Sequence, residues 1–430
     1  MNILFLSPAY YPPFPGGGER YVQALGMELV RQGYGVTVVT SCARQEQDLW
    51  QGCSEPEAHD QVVDEPSVVR RPLAPFPGGR SALLAWRKLM VLLSTLPVDQ
   101  TKLLERMGRQ FPAMPGLSAA LEQLGPFDLV HAFNLSWETP ALFGRAFCLR
   151  HRVPLVLTPF MHFGARPNDR VARNTTMKHQ LHLLQQAQML TVLTKSERDG
   201  LLQLGLMGDK IVPVGAGLDT LPSTIPNPDL ICRRHGIDRP FVLFVGRNSY
   251  DKGAHHAVEA VLRLHRKGKD VQLVLAGQMT PEFRRYWHRL NTDAQRRIRR
   301  LGVIGEADKH SLLQACEALL LPSRTDSFGI VILEAWAHSR PVIAAEAGGI
   351  PGVIDDGQDG LLVPFGDIEG LSRAIRALLD APDLSHRMGE RGRTKVTQTY
   401  TWEKVACRVG AVYQSLVSEI TSLPHGWEVT

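Results

Sequence analysis

Short apolar runs alternate with longer amphipathic stretches along most of this 430-residue chain. The apolar runs show no polar alternation, which is typical of strands buried on both faces of a parallel sheet. Helical patterns, such as those at 20–32 and 311–317, lie between the runs. This β–α–β order predicts an α/β fold with doubly wound parallel sheets. The predicted strands are 2–7, 36–40, 128–133, 155–158, 189–194, 210–214, 241–246, 271–277, 318–323, 341–344 and 360–363.

The alternation stops between residues 215 and 240, where the sequence GLDTLPSTIPNPDL is rich in proline and polar residues. Such a composition is typical of an inter-domain linker. We therefore predict a Rossmann-like domain at 1–214, a linker at 215–240, a second Rossmann-like domain at 241–400 and a helical segment at 401–430. Ligands of such sheets bind beyond the carboxyl ends of the strands, so the two domains are expected to face one cleft.

The composition is that of an ordinary globular protein, with 44% hydrophobic and 21% charged residues. The net charge of +5 is compatible with acidic ligands such as phosphates and does not call for a nucleic acid partner. The six cysteines include no Cys-x-x-Cys pair, which predicts reduced thiols and neither a disulfide framework nor a zinc site. The N-terminal sequence lacks a basic n-region, and no apolar run approaches the ~20 residues of a membrane span. These features predict a cytoplasmic protein.

The clearest candidate chemistry lies in the sequence DSFGIVILE at 326–334, directly after a predicted strand. A helix starting there would expose backbone N–H groups of Phe328, Gly329 and Ile330, which could bind a phosphate. Eight helical residues would separate Asp326 from Glu334 by ~12 Å, so each acid could bind hydroxyls at one end of a nucleotide sugar. Taken alone, the two acids are more typical of a helix cap and a solvated glutamate.

Two other loops follow predicted strands and carry groups that suit a phosphorylated ligand. The sequence VGRNSYDKG places Arg247 and Lys252 where they could clamp a diphosphate. The loop that contains Gly17 and Gly18 could bring its backbone close to the ligand from the first domain, and Gly349 could do so from the second.

Two histidines lie at the ends of predicted strands in the first domain. His162 follows the strand at 155–158, and His131 lies in the strand at 128–133. Either could contact an acceptor at the cleft, although a single histidine is more often structural than functional.

Together these motifs resemble the retaining glycosyltransferases of family 4, which have the GT-B fold. The sequence DSFGIVILE is similar to the signature of that family, with Asp326 in the place of its first glutamate. Arg247 and Lys252 match the phosphate-binding pair, GGGER matches the amino-terminal Gly-Gly loop, and His162 matches the active-site histidine. The closing sequence YTWEKVACRVGAVY is similar to the terminal helices that cross back onto the first domain.

The resemblance implies transfer of a sugar from a UDP-, GDP- or ADP-sugar to a hydroxyl of a carbohydrate, lipid-linked or small-molecule acceptor. It implies retention of the anomeric configuration, no cofactor and no metal, with Arg247, Lys252, Asp326 and His162 as catalytic residues. No Asp-x-Asp sequence is present to hold a divalent ion. Asp326 is one methylene shorter than glutamate, so we expect the sugar to shift or to be selected differently. The alternatives are a non-catalytic protein that binds a nucleotide sugar, and a sugar-nucleotide epimerase.

Two stretches raise the question of peripheral contact with an anionic membrane. Residues 83–96 are apolar with a basic step, and residues 283–302 carry seven arginines. A helix that lines the core of the first domain is the competing interpretation for 83–96. A solvated face is the competing interpretation for 283–302.

Overall fold

The computed structural model describes residues 1–54, 59–60, 64–165 and 169–422. Parallel strands alternate with helices through most of this part of the chain, which confirms the predicted α/β fold. The strands are β1 (Asn2–Leu6), β2 (Gly35–Ser41), β3 (His59–Asp60), β4 (Ser67–Arg71), β5 (Leu129–Phe133), β6 (Leu155–Thr158), β7 (Met189–Val192), β8 (Ile211–Pro213), β9 (Phe241–Val245), β10 (Gln272–Ala276), β11 (Ile298–Gly302), β12 (Ala318–Leu321), β13 (Val342–Ala345) and β14 (Gly360–Val363).

Helices cover both faces of the sheets and close the chain. They are α1 (Gly17–Arg31), α2 (Asp48–Gln51), α3 (Gly79–Thr95), α4 (Thr101–Gly108), α5 (Leu117–Gln123), α6 (Thr139–His151), α7 (Lys178–Gln186), α8 (Lys195–Gln203), α9 (Pro228–His235), α10 (Ala254–Arg266), α11 (Pro281–Trp287), α12 (Thr292–Arg296), α13 (Glu306–Ala315), α14 (Ile330–Ala337), α15 (Ile368–Asp380), α16 (Pro382–Thr399) and α17 (Trp402–Ser422).

The strands form two sheets, ordered β3-β4-β2-β1-β5-β6-β7-β8 and β11-β10-β9-β12-β13-β14. Every pairing is parallel except that of β3 with β4. In each sheet the first strand of the domain lies in the middle, with its successor on one side and a later strand on the other. The loops after β1 and β9 therefore lie at the switch points, where doubly wound sheets form a crevice.

Three strands escaped the sequence analysis: β3, which has only two residues, and β4 and β11, whose residues are not uniformly apolar. The second half of β4 is Arg70 and Arg71, and β11 reads Ile-Arg-Arg-Leu-Gly within the arginine-rich stretch. β11 is an edge strand, so its side chains do not need to be apolar on both faces. The stretch predicted as a solvated face thus contains a strand as well as α11 and α12.

The predicted linker at 215–240 contains α9, which packs against α13 with Ile231 and Cys232 buried. Asn227 caps this helix by accepting hydrogen bonds from the backbone N–H groups of Asp229 and Leu230. The first sheet ends at Pro213 and the second begins at Phe241.

The prediction that all six cysteines are reduced thiols is wrong for one pair. Cys42 and Cys53 form a disulfide, with their Cα atoms 6.2 Å apart. Cys42 donates its backbone N–H to the carbonyl of Arg71, and Cys53 pairs with Leu73, so the end of β4 brings the two cysteines together. The two cysteines are 11 residues apart in no recognisable motif, so the sequence did not indicate this contact. The cysteines therefore no longer support the prediction of a reducing compartment.

Helix α17 packs against α1 of the first domain and reaches the middle of the first sheet. Tyr413 of α17 is fully buried, and its hydroxyl lies 2.5 Å from Nδ1 of His131 on β5. The other ring nitrogen of His131 lies 2.7 Å from the hydroxyl of Thr158. Burial holds the pKa of His131 well below its ordinary value, so the imidazole is neutral.

The prediction that His131 binds an acceptor is therefore corrected. The side chain is 0% exposed, because the aromatic ring of Phe133 stacks on it and Tyr413 closes the other side. His131 joins the C-terminal helix to the first sheet.

No helix in the described part of the chain is long and apolar enough to span a bilayer.

We expect Tyr413→Phe to lower the free energy of unfolding by about 1–3 kcal/mol, because it leaves a buried nitrogen of His131 without its partner. Chemical denaturation at neutral pH measures the change. Tyr250→Phe is the matched control, since Tyr250 is exposed and should give a change below about 0.5 kcal/mol. Equal stability of both variants would contradict the role assigned to Tyr413.

Candidate active site

A cavity of about 950 Å³ lies between the two domains. Its walls are the loops that follow the strands of both sheets, as the doubly wound topology requires. A volume of this size suits a bound small molecule. Nine of the predicted site residues line it: Gly17, Gly18, His162, Arg247, Lys252, Asp326, Phe328, Gly329 and Ile330.

Two helix N-termini face the cavity, one from each domain. Helix α1 begins at Gly17, and α14 begins at Ile330 with Gly329 as its N-cap. Gly329 has a φ of +83°, a conformation that strains other residues, and an added Cβ would lie 2.8 Å from Leu321. A Cβ added to Gly17 would lie 3.8 Å from the side chain of Ile330, so the two helix starts face each other across the cleft. Both present unpaired N–H groups and partial positive charge.

An ion pair joins the two loops of the second domain that reach the cavity. Nζ of Lys252 donates to Oδ1 of Asp326 at 2.9 Å. Burial alone would raise the pKa of Asp326, but Lys252 and the hydroxyl of Ser323 hold it below its ordinary value, so the carboxylate is charged. Arg324 fixes the same two loops to each other by donating twice to the carboxylate of Asp251, at 3.0 and 2.7 Å.

The position of Asp326 excludes the role of helix N-cap, which the sequence also allowed. The helix starts at Ile330 with Gly329 at its N-cap, so Asp326 is not the capping residue. It lies in the loop, and its carboxylate is directed to Lys252.

His162 approaches these loops from the first domain. Its Nδ1 lies 3.1 Å from the hydroxyl of Ser327, and this contact joins the two domains at the cavity. Burial and the nearby charge of Lys252 lower the pKa of His162 to about 4, so the ring is neutral at physiological pH. A neutral imidazole can orient a hydroxyl group by a hydrogen bond but carries no charge to bind a phosphate.

Arg247 follows β9 and extends toward the first domain. Its guanidinium donates to Glu46 at 3.1 Å, with both side chains largely exposed. Such an exposed pair contributes little to stability, so an anionic ligand can compete for the guanidinium at small cost. Arg20 makes a second link across the cleft, to Glu306 at 3.0 Å.

Two predicted site residues of the second domain do not line the cavity. Glu334 is buried in α14, and Lys309 of α13 donates to its carboxylate at 2.8 Å. The expected eight-residue helical separation from Asp326 is wrong, because helix α14 begins only at Ile330. Gly349 lies behind the Asp326 loop: its N–H donates to the carbonyl of Asp326 at 2.9 Å, and an added Cβ would lie 1.8 Å from the carbonyl oxygen of Ser327. Gly349 thus supports the site without facing it.

Among the residues that the structure describes, one group has the geometry to hold a metal ion: Glu306, His310 and Glu334. The ammonium of Lys309 already lies 2.6 Å from Glu306 and 2.8 Å from Glu334. Burial alone would lower the pKa of Lys309, but Glu334 and Glu306 raise it, so the lysine is charged and offsets part of the negative charge of this group. The three side chains lie outside the lining of the cavity.

The sequence analysis missed several lining residues that carry polar side chains. Among them are Glu19, Arg80, Asn134, Thr280, Glu282 and Arg285. Glu19 is the most distinctive, because burial and the charge of Glu46 raise its pKa to about 7. Its position directly after three glycines, in the first turn of a helix that starts at a strand end, was the available signal.

The arrangement suits a ligand with an anionic centre and hydroxyl groups on either side. Arg247, Lys252 and the N-termini of α1 and α14 provide positive charge. Asp326, Glu19 and His162 accept or donate hydrogen bonds next to that charge. A diphosphate that carries a sugar has this combination of groups.

Comparison with known proteins agrees with this geometry. Residues 16–217 match the model of a glycosyl transferase 4-like domain, and residues 232–395 match that of glycosyl transferases group 1. The chain is 30% identical over 339 residues to the alpha-maltose-1-phosphate synthase of Mycobacterium tuberculosis H37Rv, covering 72% of this chain and 86% of that protein. It is 26% identical over 426 residues to the glycogen synthase of the same strain, covering 96% and 94%. Sucrose-phosphate synthase from Thermosynechococcus elongatus has the same fold, with a TM-score of 0.73 at 20% identity, over 97% of this chain and 99% of that one.

We expect Glu19→Gln to flatten the pH dependence of stability. Because the folded pKa of Glu19 is about 7 against an ordinary 4.5, its contribution is fully present below pH 4.5 and is lost as the pH rises through 7. The fall in unfolding free energy between about pH 5 and about pH 8.5 should therefore be smaller in the variant, by roughly 1–3 kcal/mol. Urea titrations at the two pH values measure it. The exposed Glu403, changed to Gln, is the control, and an unchanged fall in Glu19→Gln would refute the raised pKa.

Proposed function

We propose that this chain, which belongs to the group 1 glycosyl transferases and is a glycosyltransferase, transfers a sugar from a nucleoside-diphosphate sugar to a carbohydrate hydroxyl in its cavity. Its first half is a glycosyl transferase 4-like domain. The observation that carries the proposal is the convergence of Arg247, Lys252 and the N-terminus of α14 on one cavity, beside Asp326. The names of the two relatives, which denote makers of glycogen and of maltose 1-phosphate, support a role in polysaccharide synthesis.

In the proposed complex the diphosphate lies at the N-terminus of α14. Lys252 has three donors and uses one on Asp326, so it can bind a phosphate oxygen without releasing the carboxylate. Arg247 exchanges Glu46 for the phosphate, which it can bind with two parallel hydrogen bonds. The UDP-, GDP- and ADP-sugars remain equal candidates, because the contacts that carry the proposal are to phosphate and sugar.

The sugar lies toward Asp326 and His162. A charged carboxylate accepts hydrogen bonds from two neighbouring hydroxyls, and a neutral imidazole orients a third or the acceptor hydroxyl. Since aspartate is shorter than glutamate, the sugar is drawn closer to the Lys252 loop. Glu334 is left out of these contacts, because Lys309 holds its carboxylate outside the cavity lining.

We infer a retaining reaction without a metal. When the bond to the diphosphate breaks, negative charge grows on the phosphate oxygens, and Arg247, Lys252 and the N–H groups of α14 stabilise it without reorganising. The departing phosphate oxygen can take the proton of the acceptor hydroxyl on the same face of the sugar. This step needs no protein base, which agrees with a His162 pKa of about 4. A retaining glycosidase mechanism would instead need two carboxyl groups about 5–5.5 Å apart beside the sugar.

Donor binding is tested by thermal shift with UDP-, GDP- and ADP-sugars. We expect one donor to raise the melting temperature of the wild type, and Arg247→Ala and Lys252→Gln each to weaken its affinity about 10- to 100-fold, because each removes a charge-assisted hydrogen bond. Arg376→Ala and Lys269→Ala are the controls, since both residues lie outside the cavity lining. Equal stabilisation of all five proteins would show that the donor binds elsewhere.

The reaction is tested with that donor and an oligosaccharide acceptor. We expect a product whose new glycosidic bond has the anomeric configuration of the donor. The coupling constant of the anomeric proton in the NMR spectrum measures it. We also expect the rate to stay within about twofold after treatment with EDTA, and Asp326→Asn to lower kcat by about 10²–10³. An inverted product or a rate abolished by EDTA would refute the mechanism, and conversion of the donor without acceptor would favour an epimerase.

A further inference from the structure

One helical hairpin of the first domain carries a concentration of exposed aliphatic side chains. The hairpin consists of α3, the loop 96–100 and α4, and we name its outer surface the hairpin face. Six of the eleven large hydrophobic residues that are exposed in the described part of the chain lie on it, at 38% to 61% exposure. They are Leu84, Leu89, Leu92, Leu96, Val98 and Leu103.

This exposure is built into a rigid element. The opposite side of α3 packs Leu83 and Met90 into the domain, and the buried Arg87 is bonded to Glu138 and to the carbonyl of Asn174. The loop is fixed as well, because Nζ of Lys178 donates to the carbonyls of Leu96 and Val98. Neither the helix nor the loop can therefore fold its apolar side chains inward without breaking these polar contacts.

The charges on the hairpin face are mostly positive. Arg80, Lys88, Lys102 and Arg106 are exposed, and α3 contains no acidic residue. The two acids of the loop and α4 are engaged locally. Asp99 accepts the backbone N–H of Thr101 at the start of α4. Glu105 binds both guanidinium nitrogens of Arg145, at 2.8 and 2.9 Å.

We propose that the hairpin face docks on a bilayer that contains anionic phospholipid. Aliphatic side chains that alternate with lysine and arginine suit the boundary between acyl chains and anionic headgroups. Arg80, in the first turn of α3, also lines the cavity, so docking places the mouth of the cavity beside the lipid surface. The proposal does not depend on sugar transfer, since lipid binding is measured without donor.

The arginine-rich stretch at 283–302 is a weaker candidate for lipid contact. Several of its guanidinium groups are already engaged: Arg297 binds Asp270, Arg299 donates to the carbonyl of His235, and Arg300 lies 4.0 Å over the ring of Trp287. Their charge is partly used within the second domain, and this stretch contributes only one exposed strand edge and two short helices.

The test is co-sedimentation of the full chain with phosphatidylcholine vesicles, with and without phosphatidylglycerol, at low ionic strength. We expect binding only to the anionic vesicles and release by salt. The double variant Leu84→Ser/Leu92→Ser should bind at least about tenfold more weakly, because two aliphatic side chains that would insert into the lipid are lost. Lys88→Glu/Lys102→Glu should bind at least about thirtyfold more weakly, because two cations are reversed.

Two matched controls separate the hairpin face from general surface effects. Leu149→Ser changes a leucine that is 72% exposed on α6 of the same domain, and Arg391→Glu reverses an exposed cation on α16. Both should bind vesicles like the wild type. Because every substituted side chain is exposed, melting temperatures should stay unchanged, which shows that the variants fold.

Three outcomes would overturn the proposal. Wild-type protein that ignores anionic vesicles has no lipid surface of this kind. Hairpin variants that bind as tightly as the wild type place the lipid contact elsewhere, for example on the arginine-rich stretch. A wild type that is dimeric in sedimentation velocity without vesicles, and monomeric as Leu84→Ser/Leu92→Ser, shows that a second copy covers the hairpin face.

Discussion

The site depends on the opposition of two parallel sheets, whose carboxyl edges face each other across one cleft. Parallel strands place every following loop at the same edge, and the helices that begin there direct their N–H groups toward it. The N-termini of α1 and α14, together with Arg247 and Lys252, concentrate positive charge in a space of about 950 Å³. The second domain alone would lack the N-terminus of α1 and would leave a bound diphosphate largely in water, where the same charges act weakly.

Helix α8 of the first domain packs against Ile350–Gly352 of the second, and polar contacts join the two domains beside the cleft. Ser327 meets His162, the N–H of Gly348 donates to the carbonyl of Gly164, and Arg20 reaches Glu306. Each contact contributes modestly, since partly exposed hydrogen bonds and ion pairs exchange with water. Helix α17 is a further tie, because it follows the second domain in the chain and buries Tyr413 against His131 of the first domain.

Three buried or half-buried carboxyl groups near the site show how surroundings set ionisation. Asp326 stays charged because Lys252 offsets the cost of burial. Glu19 has no paired cation among the described residues, and burial raises its pKa to about 7. Glu197 accepts two backbone N–H groups, from Met161 and Leu193, yet burial still raises its pKa to about 7. The protonation states of Glu19 and Glu197 therefore change near physiological pH, whereas Asp326 stays charged.

The fold class, most of the strands and the loops that carry Arg247, Lys252 and Gly329 could be predicted from the sequence. These follow from periodicity and from glycine or charge placed directly after a strand, which are local properties. Which residues these side chains contact depends on the tertiary structure. His131 is covered by Tyr413, 282 residues away, Glu334 by Lys309 of another helix, and Cys42 meets Cys53 only because β4 brings them together. Burial and pairing arise between segments distant in sequence, so no local pattern of residues contains them.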